Sequence, residues 1–97
     1  MGQLSKLPNI GKVVEEQLIQ VGISTVDQLK CIGSRAAWLR IQKIDESACI
    51  NRLLALEGAI QNVNKKMLSD EVKNDLKEFY QLHKIKSVAK KNLYNIM

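Results

Sequence analysis

The stretch Leu4-Ser5-Lys6-Leu7-Pro8-Asn9-Ile10-Gly11-Lys12 decides the fold, together with the run to Val21 and the segment Gly22-Ile23-Ser24-Thr25-Val26-Asp27-Gln28-Leu29. Pro8 has no N–H to donate and its ring clashes with a preceding helical turn, so a first short helix must end before it. Asn9 is among the few non-glycine residues that tolerate left-handed backbone, and Gly11 tolerates almost any. The chain is therefore predicted to turn sharply and begin a second helix, with the amides of Ile10, Gly11 and Lys12 unpaired and facing outward. Such amides suit an anion or a rigid protein contact. Gly22 stops the second helix and a capped third one follows.

This helix-hairpin-helix pattern leaves two functional classes open, nucleic-acid binding and protein binding, and charge bears on the choice. The chain has 97 residues and a formal net charge of +5. Residues 1–82 hold eleven Lys and Arg against ten Asp and Glu, whereas residues 83–97 hold Lys84, Lys86, Lys90 and Lys91 and no acid. The body is nearly neutral and the tail is basic. Nonspecific nucleic-acid affinity comes mainly from clustered Lys and Arg, so duplex DNA binding is expected to be weak and to depend on the tail. Within the hairpin, Lys6 and Lys12 would add charge beside the amides, but Glu15 and Glu16 one turn further on would repel phosphate. Asn9 also stands where a DNA-binding hairpin usually has its first glycine, so a structural hairpin is the preferred reading.

Composition sets the remaining bounds. Ninety-seven residues suit one domain, and 45% apolar with 4% aromatic residues implies an aliphatic core of Leu, Ile and Val. No apolar run approaches the roughly 20 residues that span a bilayer, and no hydrophobic signal core opens the chain, so a cytoplasmic, non-membrane protein is expected. Cys31 and Cys49 have no metal or redox spacing and are read as small buried hydrophobes.

Helical patterns continue to the end without a credible strand. Ser24 is expected to open the third helix with Asp27 in a capping-box position, and Gly33 to stop it. Ser34 should cap a fourth helix, Arg35 to about Lys43, with Ala37, Trp38 and Ile41 inside. Asp45 should cap the next, whose apolar face is Ile50, Leu53, Leu54, Ala55 and Ile60. Ser69 should cap the last, with Asp70 and Glu71 at the positive end of its dipole. The fold class is therefore all-α: a compact bundle of about five helices with helix-hairpin-helix character, its last helix long and extended.

Several residues invite a chemical role and are better read structurally. Glu57 lies close to an apolar face and has no base, nucleophile or metal partner in register; it is expected to accept backbone amides from a neighbouring hairpin. Gly58 costs roughly 1 kcal/mol relative to Ala in mid-helix, which close helix–helix approach would offset. His83, the single histidine, lacks a ligand-like spacing to either cysteine and is read as a polar position near the helix surface. Trp38 is assigned to the core rather than to a stacking platform for a base. No catalytic, cofactor or metal site emerges.

The last helix has its own pattern. Val72, Leu76, Phe79, Leu82, Ile85, Ala89, Leu93 and Ile96 follow at steps of three and four, and neither proline nor glycine interrupts residues 70–97. Such spacing predicts an apolar stripe on one side of a single helix. Its far end (Ile85, Ala89, Leu93, Ile96) should bury against something beyond this small body, with a two-fold homodimer as the simplest closed solution.

Leu7-Pro8-Asn9-Ile10-Gly11, Val21 to Leu29 and Leu54-Ala55-Leu56-Glu57-Gly58-Ala59 fall in an order that resembles the C-terminal domain of the TfoX/Sxy family of bacterial competence regulators. The resemblance covers about residues 4–80. It implies an all-helical, non-enzymatic domain without cofactor and a transcriptional context, in which family members act as coactivators alongside the cyclic-AMP receptor protein. It also implies a stand-alone version, since the family's N-terminal α/β domain has no counterpart in this sequence. On this reading residues 1–82 form the family-like domain and 83–97 a basic helical extension. The expected function is a binding module, an accessory regulator linked to transcription or DNA-uptake competence, acting through protein–protein contacts. Its partner would be a transcription factor or a separate protein of the TfoX N-terminal type. The alternative is nonspecific nucleic-acid binding through the hairpin (Lys6, Asn9, Ile10, Gly11, Lys12) and the tail lysines.

Overall fold

The computed structural model describes the backbone of residues 4–96 and the side chains of residues 4–83. A 3-10 turn, Leu4–Lys6, precedes five helices: α1 Lys12–Gln20, α2 Val26–Ile32, α3 Ser34–Ile44, α4 Ile50–Gln61 and α5 Asp70–Ile96; a second 3-10 turn, Lys65–Met67, joins the last two. The fold is all-α, with no strand among the described residues.

Local chemistry explains most boundaries. Pro8 and Asn9 separate the first turn from α1, and Asn9 adopts the left-handed backbone expected of it, at φ 70°. At the end of α1 the Ile23 N–H donates to the Leu18 carbonyl at 2.8 Å and the Gly22 N–H to the Ile19 carbonyl at 3.1 Å. Gly22 supplies the positive φ this closure requires. Asn62 closes α4 by the same geometry, with Val63 donating to Gly58 at 2.9 Å. Gly33, at φ 87° and ψ 162°, is at once the last cap of α2 and the first of α3, so two helices meet at a single residue. Ser69 caps α5, its hydroxyl accepting the Val72 N–H at 3.2 Å.

Three caps differ from expectation. Thr25, not Ser24, is the N-cap of α2, and Gln28, not Asp27, closes the box: the Thr25 hydroxyl accepts the Gln28 N–H while the Gln28 amide oxygen accepts the Thr25 N–H. The helix starts one residue later, and glutamine reaches back as well as an acid. Ser34 is the first residue of α3 rather than its cap; it is buried, and its hydroxyl donates to Glu57 Oε1 at 2.6 Å. Asp45 ends α3, and Cys49 stands at the N-cap of α4.

The core lies where α3 and α4 cross. Ala37, Trp38 and Ile41 on α3 are fully buried, as are Leu53, Leu56 and Ala59 on α4. Leu4, Leu18, Ile23 and Leu29 close it from the N-terminal half, and Leu76 from α5. Trp38 is therefore core. Its indole N–H donates to the Cys49 carbonyl at 3.3 Å, and its ring meets Phe79 and Tyr80 edge-on at centroid distances of 6.2 and 5.6 Å. Edge-to-face packing of this kind docks α5 on α3 with more specificity than aliphatic contact. Cys31 and Cys49 are exposed, contrary to the buried reading. Short amphipathic helices leave little inward surface, and Leu29 occupies it in α2.

The stripe of α5 also departs from expectation. Val72 and Phe79 pack against the core and Leu76 is fully buried, yet Leu82 is 64% exposed. The steps Leu76–Phe79–Leu82 are both of three residues, and each turns the stripe by about 60° around a 3.6-residue helix. The apolar line therefore leaves the body-facing side at Leu82. His83 takes that side instead, stacked on Phe79 at a centroid distance of 4.0 Å with Nδ1 2.9 Å from the Phe79 carbonyl. Among the described residues no helix is long and apolar enough to cross a membrane.

Candidate functional site

The hairpin is the segment with the strongest functional signal, and the Asn9 side chain and the Ile10 amide within it bond inside the chain. The Asn9 side chain reaches the end of α4: Nδ2 donates to the Val63 carbonyl at 3.0 Å and, more weakly, to Ala55 at 3.5 Å, while Oδ1 accepts the Lys65 N–H at 3.1 Å. Gly58 is what lets it in. A Cβ at that position would stand 2.5 Å from Asn9 Nδ2 and 2.8 Å from the Val63 carbonyl oxygen. The close approach inferred from Gly58 is thus made by the hairpin side chain and the loop after α4, rather than by another helix.

The other hairpin residues divide by exposure. Ile10 is buried, and its N–H donates to the Leu7 carbonyl at 3.4 Å, so its amide does not face outward unpaired. Gly11 is exposed in extended backbone at φ −93° and is the N-cap of α1, with no side-chain cap bond. Lys6 and Lys12 are exposed on either side. Glu15, expected to repel phosphate, is buried and turned inward, where Oε2 accepts the Ser5 N–H at 3.1 Å. Glu15 thus performs for the first turn the amide-accepting role expected of Glu57. Glu57 instead accepts from side chains, Ser34 and the Gln61 amide at 2.7 Å.

The fold adds residues that no local pattern placed here. Asn9 pins the second 3-10 turn against the hairpin, bringing the Lys65–Lys66 pair to a segment 56 residues away in sequence. The Lys73 ammonium donates to the Lys66 carbonyl at 3.0 Å. Gly58 was the one sequence signal for this contact.

A second polar cluster fixes α1 on the bundle. Gln17 Nε2 donates to Asp45 Oδ2 at 2.8 Å, and Arg52 donates to both Gln17 Oε1 at 2.8 Å and Asp45 Oδ2 at 2.9 Å. Ser47 hydroxyl, then Gln17, Arg52 and the Ser47 amide hold the Asp45 carboxyl well below the usual carboxylate range. No buried side-chain polar atom among the described residues lacks a partner, and no group of three potential metal ligands occurs among them. The tail residues named from sequence, Lys84, Lys86, Lys90 and Lys91 with Ile85, Ala89, Leu93 and Ile96, lie outside the residues whose side chains are described.

With this geometry in place, the chain can be compared with known proteins. It is 35% identical over 92 residues to the DNA transformation protein TfoX of Haemophilus influenzae, an alignment covering 95% of this chain and 40% of that protein. It is 31% identical over 77 residues to Protein Sxy of Escherichia coli, covering 79% of this chain and 37% of that protein. The chain thus spans about two-fifths of the length of these curated relatives. Among solved structures, an uncharacterized Listeria monocytogenes protein in a triclinic crystal form matches at a TM-score of 0.80 and 50% identity, over 80% of this chain and 89% of that one. A Listeria monocytogenes protein of unknown function in a tetragonal form matches at a TM-score of 0.77 and 49% identity, over 79% and 95% of the two chains. The model of the TfoX C-terminal domain matches residues 1–80, which take in the Asn9 hairpin, the Gly33 corner and Gly58. The chain belongs to the TfoX C-terminal domain family.

Proposed function

We propose that this chain is a non-enzymatic binding module that serves as an accessory regulator of DNA-uptake competence, acting through protein–protein contacts. Family membership over residues 1–80 supports the competence setting. The observation that favours protein over nucleic acid is the internal use of the hairpin: Asn9, the Ile10 amide and Glu15 all bond within the chain. A hairpin so occupied is a structural clasp, and the near-neutral body around it offers phosphate little attraction.

One observation favours a second reading, nonspecific nucleic-acid binding. Lys65 and Lys66 sit on the turn that Asn9 holds, and Lys6, Lys12 and Lys66 are exposed. Gel shifts with duplex DNA across a salt series separate the two. Protein-contact function predicts weak binding that disappears when Lys84, Lys86, Lys90 and Lys91 are all replaced by Gln. Tight binding that survives this replacement and falls steeply with salt would establish the second reading. The competence role is tested by deleting the gene in the organism that encodes it: transformation frequency should fall, and an unchanged frequency would refute it.

A further inference from the structure

We infer that α2 is a strap: residues 24–32 detach from the body as one unit while the rest of the domain keeps its fold. The other helices are tied across elements by polar or aromatic contacts. Gln17 on α1 and Arg52 on α4 meet at Asp45, and Ser34 on α3 donates to Glu57 on α4. Trp38 on α3 reaches the Cys49 carbonyl and the Phe79 and Tyr80 rings of α5. α2 has no such tie. Among the described residues, no side-chain hydrogen bond, ion pair or ring contact links residues 24–32 to another element; the bonds of Ser24, Thr25 and Gln28 all stay within residues 24–28. Apolar burial alone holds this helix. Leu29 is its one fully buried side chain, Val26 and Ile32 are half-buried three residues to either side, and the seat lies on α3 and α4.

Both ends of α2 suit a pivot. Gly33 makes the whole turn into α3 at φ 87°, and a Cβ placed there would meet no atom within 4 Å. A glycine so unpacked changes its torsions without striking a neighbour. At the other end Ile23 is buried and its N–H is held by the Leu18 carbonyl, so the motion begins after it, at exposed Ser24. Neither cap opposes detachment. The capping box closes inside residues 24–28, and the Gly33 N–H donates to the Leu29 carbonyl at 2.8 Å, within the same segment. Seven residues are too few to stay helical once off the body, so leaving the seat and losing amide protection are one event. Detachment turns out Leu29 with Val26 and Ile32 and uncovers their seat on α3 and α4. The open form thus presents an apolar surface that the closed domain hides, whatever the chain binds. Segments that rearrange are drawn from the least-tied part of a fold, and here that part is α2.

Native-state hydrogen exchange of the full chain, read by NMR, tests the strap. After correction for intrinsic rates, the Leu29, Lys30, Cys31, Ile32 and Gly33 amides should share one opening equilibrium. They should exchange roughly tenfold or more faster than the Leu53, Leu56 and Ala59 amides of α4. Low urea should barely change the α2 rates while accelerating those of α4, because detachment exposes little surface. Arg52→Ala gives an independent reading. It loosens α1 and α4 at Asp45, contacts that a detached α2 leaves intact. Exchange on α4 should quicken about fivefold, the size of one such hydrogen-bonded contact, and exchange on α2 should not change. Protection of α2 equal to that of α4, with the same urea slope, would overturn the strap. So would equal acceleration of both helices by Arg52→Ala, or a graded loss of protection towards Gly33, which marks fraying of a helix end.

Discussion

Replacing Gly58 by Ala should destabilise this domain, the reverse of what helix propensity predicts. In an ordinary helix interior the change gains about 1 kcal/mol. Here the new Cβ would stand 2.5 Å from Asn9 Nδ2, 2.8 Å from the Val63 oxygen and 3.2 Å from Lys65 Cα. Val63 cannot retreat easily, because its N–H is held by the Gly58 carbonyl at 2.9 Å. The Asn9 amide must therefore move, losing its bonds to Val63 and Lys65. Two such bonds are worth about 1 kcal/mol each, and the residual overpacking adds about 1–3 kcal/mol. Set against the propensity gain, the net loss is about 2–4 kcal/mol, a fall of about 10–30 °C in Tm for a domain of this size. Circular dichroism melts read it directly. Asn9→Gly keeps the left-handed backbone accessible while deleting the amide, so Gly58→Ala should cost at least about 1 kcal/mol less in that background. A Gly58→Ala protein that melts at or above the wild type, or an equal cost in both backgrounds, would refute the clasp.

The other expectations concern corners, caps and pH. Gly33→Ala should lower stability by about 1–3 kcal/mol, because φ 87° with ψ 162° is open essentially to glycine alone, whereas Gly11→Ala, in extended backbone with no atom within 4 Å of its Cβ, should cost less; paired urea titrations compare them. Thr25→Ala should cost about 0.5–2 kcal/mol through the lost cap of α2 and exceed the cost of Ser24→Ala in the same thermal assay. The Asp45 carboxyl is depressed in the folded state, so its contribution is complete above the ordinary carboxylate range and is lost as pH falls through and below about 4; Asp45→Asn should flatten the acid limb of a Tm-versus-pH curve.

Some of this protein is legible in short windows of sequence. Pro8 and Asn9 mark a break with left-handed backbone, Gly33 a corner, Ser69 a cap, and the spacing of Ala37, Trp38 and Ile41 an inward face. Each depends on dihedral preferences or on helical periodicity, which are properties of a few neighbouring residues. Cap positions one residue apart, Ser24 against Thr25, were beyond that reach because both side chains can cap and only the start of the helix chooses. What Asn9 holds is another matter. Its partners lie 46 to 56 residues away, and nothing near position 9 names them. Glu15 likewise took the amide-accepting role expected of Glu57, since whether a glutamate meets an amide or a hydroxyl depends on which element arrives opposite it. The side of α5 on which the apolar line ends was written in the residue steps, but only the exposure of Leu82 showed which face the body occupies. Tertiary structure decided these points because each is a pairing between distant segments, and the free energy of such a pairing resides in neither segment alone.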